Sequence, residues 1–445
     1  MEGSIARRKS PVLRLLFGVF WLWMAALSTM NKVAPVQAAD LTPTIAAPTM
    51  TLTDTLTATV FLPLITNQTA RLAMRMGYDA IQAPITRYPE LHALRAGWYI
   101  DWSVQMTPVR PDGIEHVQVI RVHQKLTCGQ FQNGDRAACP YAQPLDYQFY
   151  PTQATIEAAA NVSPGDIWLI GNEMDRVDWR YCAVSTDPCP GDQIQQTGQD
   201  EMLPETYAHA YHDLYAIIKN ADPTARVANG GVIQATPLRL QYLTIVWDTY
   251  RTVYGVDMPV DIWNVHNFIL REKKNAYGAD MPPGLPGDPT IGEYTTSDWT
   301  HIDHDIFNQQ ILAFRQWMKD RGQQDKPLIV SEYGLLYHHC VEADRNGFCV
   351  KDLNNKQVAL DFMTWTFDYF LNTRDCTLGL VTDDCHLVQR WTWFGLDIVS
   401  TDSAGNLSFG QNEHTSLFNR TTLQMTEAGA RFAKFVEDNL DSLAQ

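Results

Sequence analysis

The 445-residue sequence is poor in several signatures that would point to common chemistries. It has no C-x-x-C pair, so its cysteines offer neither a zinc knuckle nor a redox motif. It has no Gly-rich phosphate loop and no G-x-S-x-G elbow, which argues against a nucleotide-phosphate cradle and an α/β-hydrolase serine. Basic residues are few: 34 Lys and Arg face 50 Asp and Glu, for a formal net charge of −16. A chain this acidic lacks the basic patch that displaces counterions from a polyanion, so no nucleic-acid partner is expected. It suits a soluble protein acting on a neutral or cationic substrate. Repeats of solenoid length are missing as well.

The 45% hydrophobic residues provide for a large ordinary core. The N-terminus reads as a targeting segment. Arg7, Arg8, Lys9 and Arg14 precede an apolar run over 15–27 that is short for a membrane span. Val36, Gln37 and Ala38 offer small residues around a cleavage point before Ala39, giving a signal peptide over 1–38. An uncleaved anchor is the alternative. Residues 39–69 are rich in Thr, Ala and Pro and read as a spacer. After cleavage no membrane contact is expected, and the protein would be secreted or held at the cell surface. Eight cysteines fall as near neighbours: Cys128 with Cys139, Cys182 with Cys189, Cys340 with Cys349, and Cys376 with Cys385. An even count in an exported chain favours disulfides, and four local staples are the simplest connectivity.

From about residue 70 to 445, short apolar runs alternate with longer segments of helical spacing, the mark of parallel βα units. Eight strands are expected, over 71–78, 97–103, 116–122, 166–173, 226–232, 261–268, 328–333 and 390–394. Apolar stripes at helical spacing follow the fourth, sixth and seventh: Ala208, Tyr211, Tyr215 and Ile218; Phe307, Ile311, Phe314 and Met318; Val358, Phe362, Trp365 and Tyr369. The expected fold is a (β/α)8 TIM barrel in one domain, with long, disulfide-stapled loops on the C-terminal face. Three of the four cysteine pairs and the Pro/Gly-rich stretch 281–290 fall in those loops.

Two glutamates close apolar strands. Glu173 ends the run DIWLIGNE, and Glu332 ends LIVSE. An unpaired carboxylate is costly to bury there, whereas a structural glutamate more often lies on a helix surface. Two carboxyls from different strand ends are what glycoside hydrolysis needs, one to protonate the leaving oxygen and one to attack the anomeric carbon or activate water.

With Asn172-Glu173 after the fourth strand and Glu332 after the seventh, the chain resembles clan A of the glycoside hydrolases. The resemblance implies Glu173 as general acid/base, Glu332 as nucleophile, Asn172 on the sugar 2-hydroxyl and net retention. It implies a carbohydrate substrate, a β-linked polysaccharide or oligosaccharide, and calls for no cofactor and no metal. The strand GWYIDWS at 97–103 resembles its counterpart in glycoside hydrolase family 128, whose members cut β-1,3-glucan. The acid role would require a raised Glu173 pKa and give a bell-shaped rate profile.

Further positions agree with a sugar site. Period-2 alternation puts Asn264, His266 and Phe268 on one face of the sixth strand. His266 could tune Glu332 or bind a hydroxyl, or be a hydrogen-bonded core histidine. Phe268 stands where the clan has a Tyr, which leaves open which group orients the nucleophile, with Tyr333 a candidate. Trp391 and Trp393 share a face of the last strand; Trp393 is read as the subsite floor, with Trp391 one layer deeper. Asp101, Trp102, Arg121 and His123 sit at strand ends, where cleft lining and ordinary packing compete. His301, His304, His338 and His339 show no ligand framework. Three rivals remain: a non-catalytic carbohydrate-binding protein on a glycosidase-like barrel, a metal-assisted barrel hydrolase, and a structural surface protein.

Overall fold

The computed structural model describes residues 74–80, 84–127, 136–142, 145–177, 199–274, 278–287, 289–294, 301–336, 340–343, 349–352, 355–398 and 414–442. The expected signal peptide and spacer lie outside these residues. Among the described residues, no helix is long and apolar enough to cross a membrane.

In chain order the elements are β1 (Met76–Asp79), β2 (Trp98–Ile100), β3 (Glu115–Gln124), β4 (Tyr147–Tyr150), α1 (Gln153–Val162), β5 (Ile167–Ile170), α2 (Pro204–Ala221), β6 (Arg226–Asn229), α3 (Pro237–Tyr254), β7 (Trp263–His266), α4 (His304–Asp320), β8 (Leu328–Glu332), β9 (Cys340–Ala343), β10 (Cys349–Asp352), α5 (Lys356–Asn372), β11 (Arg390–Trp393) and α6 (Glu427–Ser442). Eight of the strands form a parallel sheet in the order β6-β5-β3-β2-β1-β11-β8-β7. Two isolated parallel bridges, Ala228 to Ile262 and Val232 to Val265, bring β7 back to β6. The result is a nearly closed eight-strand parallel barrel with helices around it. All eight barrel strands fall within the expected segments or within two residues of them. Two features were not anticipated: β4 pairs antiparallel with β3, and β9 and β10 form a hairpin.

Two cores account for the barrel. Strand alternation sends one set inward: Trp98, Ile100, Val117, Val119, Ile167, Leu169, Ala228, Ile262 and Ile329 fill the interior. The other set meets the helices. Trp168, Val265, Phe307, Phe314, Phe362 and Trp391 belong to that outer layer. Each large apolar side chain so buried contributes about 1.5–3 kcal/mol. The helices start on local signals: Pro204 and Pro237 occupy first-turn positions, and the Asp303 and Asn355 side chains accept the first free N–H groups of α4 and α5.

Cys376 and Cys385 form a disulfide between α5 and β11, on a connection that leads into the N-terminal end of a strand. It is the pair not expected in the C-terminal-face loops, and it staples the opposite face. Cys139 is also disulfide-bonded. Cys128, Cys182 and Cys189 lie outside the described residues, as do the side chains of Cys340 and Cys349.

Candidate active site

The chain after β5 turns sharply. Gly171 takes φ +88° and Glu173 φ +50°, both left-handed. For a non-glycine residue that conformation costs about 1–2 kcal/mol. Three bonds hold it: Glu173 N–H donates to Gly231 O (2.9 Å), Asn172 N–H to Asp200 Oδ2 (2.9 Å), and Asp200 N–H to Asn172 O (2.8 Å). Asp200 also binds Arg121 through Nε (2.9 Å) and accepts from Val122 N–H (3.0 Å). Arg121 is thus a buried structural ion pair behind the turn. His123 sits in the β3–β4 ladder beside Gln148.

Glu332 reaches the mouth through a slip in register. Asn264 pairs with Ile329 and Val265 with Val330, but His266 pairs with Glu332, leaving Ser331 as the extra residue. Without that bulge, alternation would turn Glu332 out towards the helices. With it, Tyr333 is the one that faces outward. Tyr333 packs against Phe307 and Phe370, and its hydroxyl lies 3.3 Å from Thr366 Oγ1.

Glu173, His266 and Glu332 come together as a buried cluster, each offering an atom within 4.8 Å of the others. His266 Nδ1 lies 3.2 Å from Glu173 Oε1 and 3.6 Å from Glu332 Oε2. Its Nε2 has no hydrogen-bond partner. Asn264 lies below, fully buried, with neither end of its amide bonded. Asn172 is buried next to Glu173. Arg176 Nη1 donates to Glu173 Oε2 (3.0 Å), as does Gln199 Nε2 (3.1 Å), and Arg176 Nη2 anchors to Gly278 O. The doublet Gly230-Gly231 opens the space: a Cβ on Gly231 would overlap the His266 ring, and one on Gly230 would overlap Met174. Trp102, Phe268 and Phe394 surround the cluster, with ring centroids 6.0 Å from Trp102 to His266, 6.3 Å from His266 to Phe268 and 6.0 Å from Phe268 to Phe394.

The tryptophans expected in the subsite are elsewhere. Trp393 lies edge-on to Tyr333 and Phe367, and its Nε1–H donates to Thr415 O (2.7 Å). Trp391 stacks on Phe370. Both do share a face, but it is the helix face, because inward positions on β11 go to Arg390 and Thr392, with Phe394 following at the mouth. Half-buried Phe394 is the last-strand aromatic at the site. Asp101 accepts from Ser103 and His116 and is a structural junction. His301 and His304 lie at the start of α4, with His304 stacked on Trp365, while His338 and His339 lie outside the described residues.

The electrostatics run opposite to the roles expected from the sequence. Burial pushes the Glu173 carboxyl up, but the Arg176 guanidinium and the His266 ring outweigh it and hold it at about 2. Glu332 is pushed well above the usual carboxylate range by burial, then by the charges of Glu173 and Asp79. Of the two, Glu173 is therefore the more acidic and Glu332 the more readily protonated. Asp79, at the end of β1, is also raised by burial, offset in part by Thr392.

The sequence showed no metal-ligating cluster, yet the fold assembles one from the same three residues. Two carboxylates and an imidazole with open positions resemble a catalytic metal set. Arg176, 3.0 Å from Glu173, already supplies positive charge there and opposes a second cation.

No family model and no curated protein matches the chain. Solved structures similar to it include a GH128 (subgroup II) endo-beta-1,3-glucanase from Sorangium cellulosum, at 13% identity and TM-score 0.42, covering 81% of this chain and 97% of that one. Xylanase 10B from Thermotoga petrophila RKU-1 is similar at 10% identity and TM-score 0.36, covering 86% and 100%. A glucosidase from Croceicoccus marinus is similar at 12% identity and TM-score 0.41, covering 82% and 68%. At these levels the likenesses carry no argument about activity.

Proposed function

We propose that the protein is an exported retaining glycoside hydrolase that cleaves a β-linked polysaccharide or oligosaccharide through Glu173 and Glu332. The observation that carries the reading is the pair itself: two buried carboxyls at the strand ends of a parallel barrel, within 4.8 Å of one another. Retaining enzymes separate their carboxyls by about 5–5.5 Å, and inverting ones by roughly 6.5–9.5 Å to admit a water. One oxygen of each carboxyl approaches the other within 4.8 Å, which is compatible with the narrower class.

The opposed shifts favour a single proton on the pair, the number that double displacement requires, although they place it on the other carboxyl. Glu332 attacks the anomeric carbon while Glu173 protonates the leaving oxygen, and Glu173 then activates water. The shifts favour the proton on Glu332, so the productive form arises when it moves to Glu173. His266 lies between the two carboxyls and offers Nδ1 to both. Phe394, Phe268 and Trp102 give the sugar apolar faces, while Asn172 and Asn264 offer amides to its hydroxyls. We also read the cysteine pairs at 128/139, 182/189 and 340/349 as staples of the loops at this mouth, consistent with life outside the cell.

Product release from β-glucans, mannans and xylans should occur with wild type and vanish with Glu332→Gln. Azide rescue on an aryl glycoside then separates the roles. The nucleophile variant gives a glycosyl azide of inverted configuration, and the acid/base variant one of retained configuration. Inverted azide from Glu173→Ala would reverse the assignment. Tight binding without turnover in either protein would select a carbohydrate-binding protein. A second reading, metal-assisted hydrolysis, is favoured by the Glu–His–Glu cluster; loss of activity with EDTA, restored by a divalent cation, would select it.

A further inference from the structure

The mouth holds a carboxyl that the chemistry above leaves unused. Along β1, Met76 and Tyr78 belong to the outer core, so Gly77 and Asp79 face inward. A Cβ on Gly77 would indeed strike the Trp98 ring of the inner core. Asp79 ends the strand and is fully buried. Neither of its carboxylate oxygens makes a hydrogen bond of good geometry; the Thr392 hydroxyl on the adjoining strand is near enough to lower its pKa in part, but is itself left without a well-formed bond. Its charge acts on Glu332 and Tyr333, which places it close to the reacting carboxyl. Its backbone is fixed, with Leu396 N–H donating to Asp79 O at 2.7 Å.

Three other buried carboxyls in this barrel are fully engaged. Asp175 and Glu272 share the fully buried Arg239. Asp200 holds Arg121, Val122 N–H and Asn172 N–H. Asp79 has no such duty, and two unbonded oxygens are a liability for the fold alone. They become an asset when a polyol arrives, because the two oxygens of a carboxyl match two neighbouring ring hydroxyls.

We propose that Asp79 binds two hydroxyls of the sugar ring held at the reaction centre, and that the site accepts uncharged glycosides and rejects uronides. A uronide would bring a further carboxylate into a buried space already shared by Asp79, Glu173 and Glu332. The arginines described nearby, Arg176 and Arg121, are bonded to Glu173 and Asp200. The proposal rests on the glycosidase reading for the ring's place at a cleavage point, though not for the binding of a polyol.

The test uses the full chain with Asp79→Ala and Asp79→Asn, each checked for an unchanged melting profile or a rise in Tm. Wild type is assayed on 4-nitrophenyl β-glucoside, β-mannoside, β-xyloside and β-glucuronide, and on monodeoxy analogues of the sugar cleaved fastest. Binding of cellobiose, laminaribiose, mannobiose and xylobiose is followed in parallel by thermal shift. The expected result is a loss of about 10- to 100-fold in kcat/KM at one or two deoxy positions in wild type, shrinking to near unity in Asp79→Ala. The glucuronide should remain uncleaved. Hydrolysis with the same deoxy discrimination in Asp79→Ala, or faster turnover of the glucuronide than of its neutral counterpart, overturns the proposal and leaves the glycosidase reading standing. Disaccharide binding that is lost in Asp79→Ala, with no hydrolysis by wild type, does the reverse. Neither hydrolysis nor binding in a folded wild type overturns both.

Discussion

Replacing Arg176 by Gln tests the electrostatics of the site most directly. Its guanidinium lies 3.0 Å from Glu173 Oε2, and the two side chains are 15% and 3% exposed. Unit charges about 4 Å apart interact by about 4 kcal/mol at an effective dielectric of about 20. An arginine neighbour commonly lowers a carboxyl by about 1–3 pKa units. Removing it should therefore lift Glu173 from about 2 towards the ordinary range, leaving His266 as the remaining stabiliser. The assay is the pH dependence of kcat/KM on the substrate that the glycoside panel identifies. Wild type should stay active down to the pH at which it unfolds. The variant should show an acid limb roughly 1–3 units higher, within a measurable range. The plateau then reports the role: if Glu173 is the acid, a weaker hold on its proton-free form favours the productive state, and poor leaving groups gain most. Profiles that superimpose throughout would refute the idea that Arg176 sets the charge on Glu173.

Gly231→Ala would push a methyl group into the His266 ring; a displacement of about 1 Å at such a centre typically costs about 10²-fold, so kcat should fall by that order while KM moves little. Glu332→Gln should raise Tm at neutral pH. A carboxyl whose folded pKa is raised loses stability as pH climbs from its unfolded value through its folded one, so the gain should be larger at pH 7 than at pH 4, and an equal gain at both would count against the raised state. Trp393→Phe should lower Tm and leave KM alone because Trp393 packs against the helices, whereas Phe394→Ala should raise KM; the opposite pattern by steady-state kinetics would put the tryptophan back in the subsite.

The barrel was legible because its strands are short apolar runs between well-signalled helices, and because Glu173 and Glu332 are conspicuous at the ends of such runs. Facing was harder. On β7 simple alternation places Asn264, His266 and Phe268 together, and the structure has them so. On β8 the extra residue Ser331 inverts the parity, which is why Tyr333 turns away although it follows Glu332 directly. On β11 the sequence pairs Trp391 with Trp393, but large aromatics suit the helix layer as well as a sugar subsite, and parity alone does not choose between faces. Arg176 and Asp200 stand outside regular strands, so no periodicity marks them. Asp79 ends a weak strand that the pattern closes at Tyr78. The Gly230-Gly231 doublet was the available sign of a close approach, since His266 and Met174 fill the space that side chains there would take.

The join between β6 and β7 has a consequence for how the molecule fails on heating. The other neighbouring strands share ladders of paired residues, whereas this pair meets through two isolated bridges and the Asn229 side chain, which bonds the N–H and the O of Asn264. A ring with one weak seam parts there first and becomes a curled open sheet with two free edges. One edge leads into Gly231, which accepts the Glu173 N–H, and the other carries His266. Separation of these edges dissolves the reacting geometry and parts Ala228 from Ile262 in the inner core, while the outer core, which holds most of the aromatic side chains, stays packed. Thermal inactivation should therefore precede melting, with activity fading several degrees below the temperature at which the tryptophan fluorescence of the core reports unfolding.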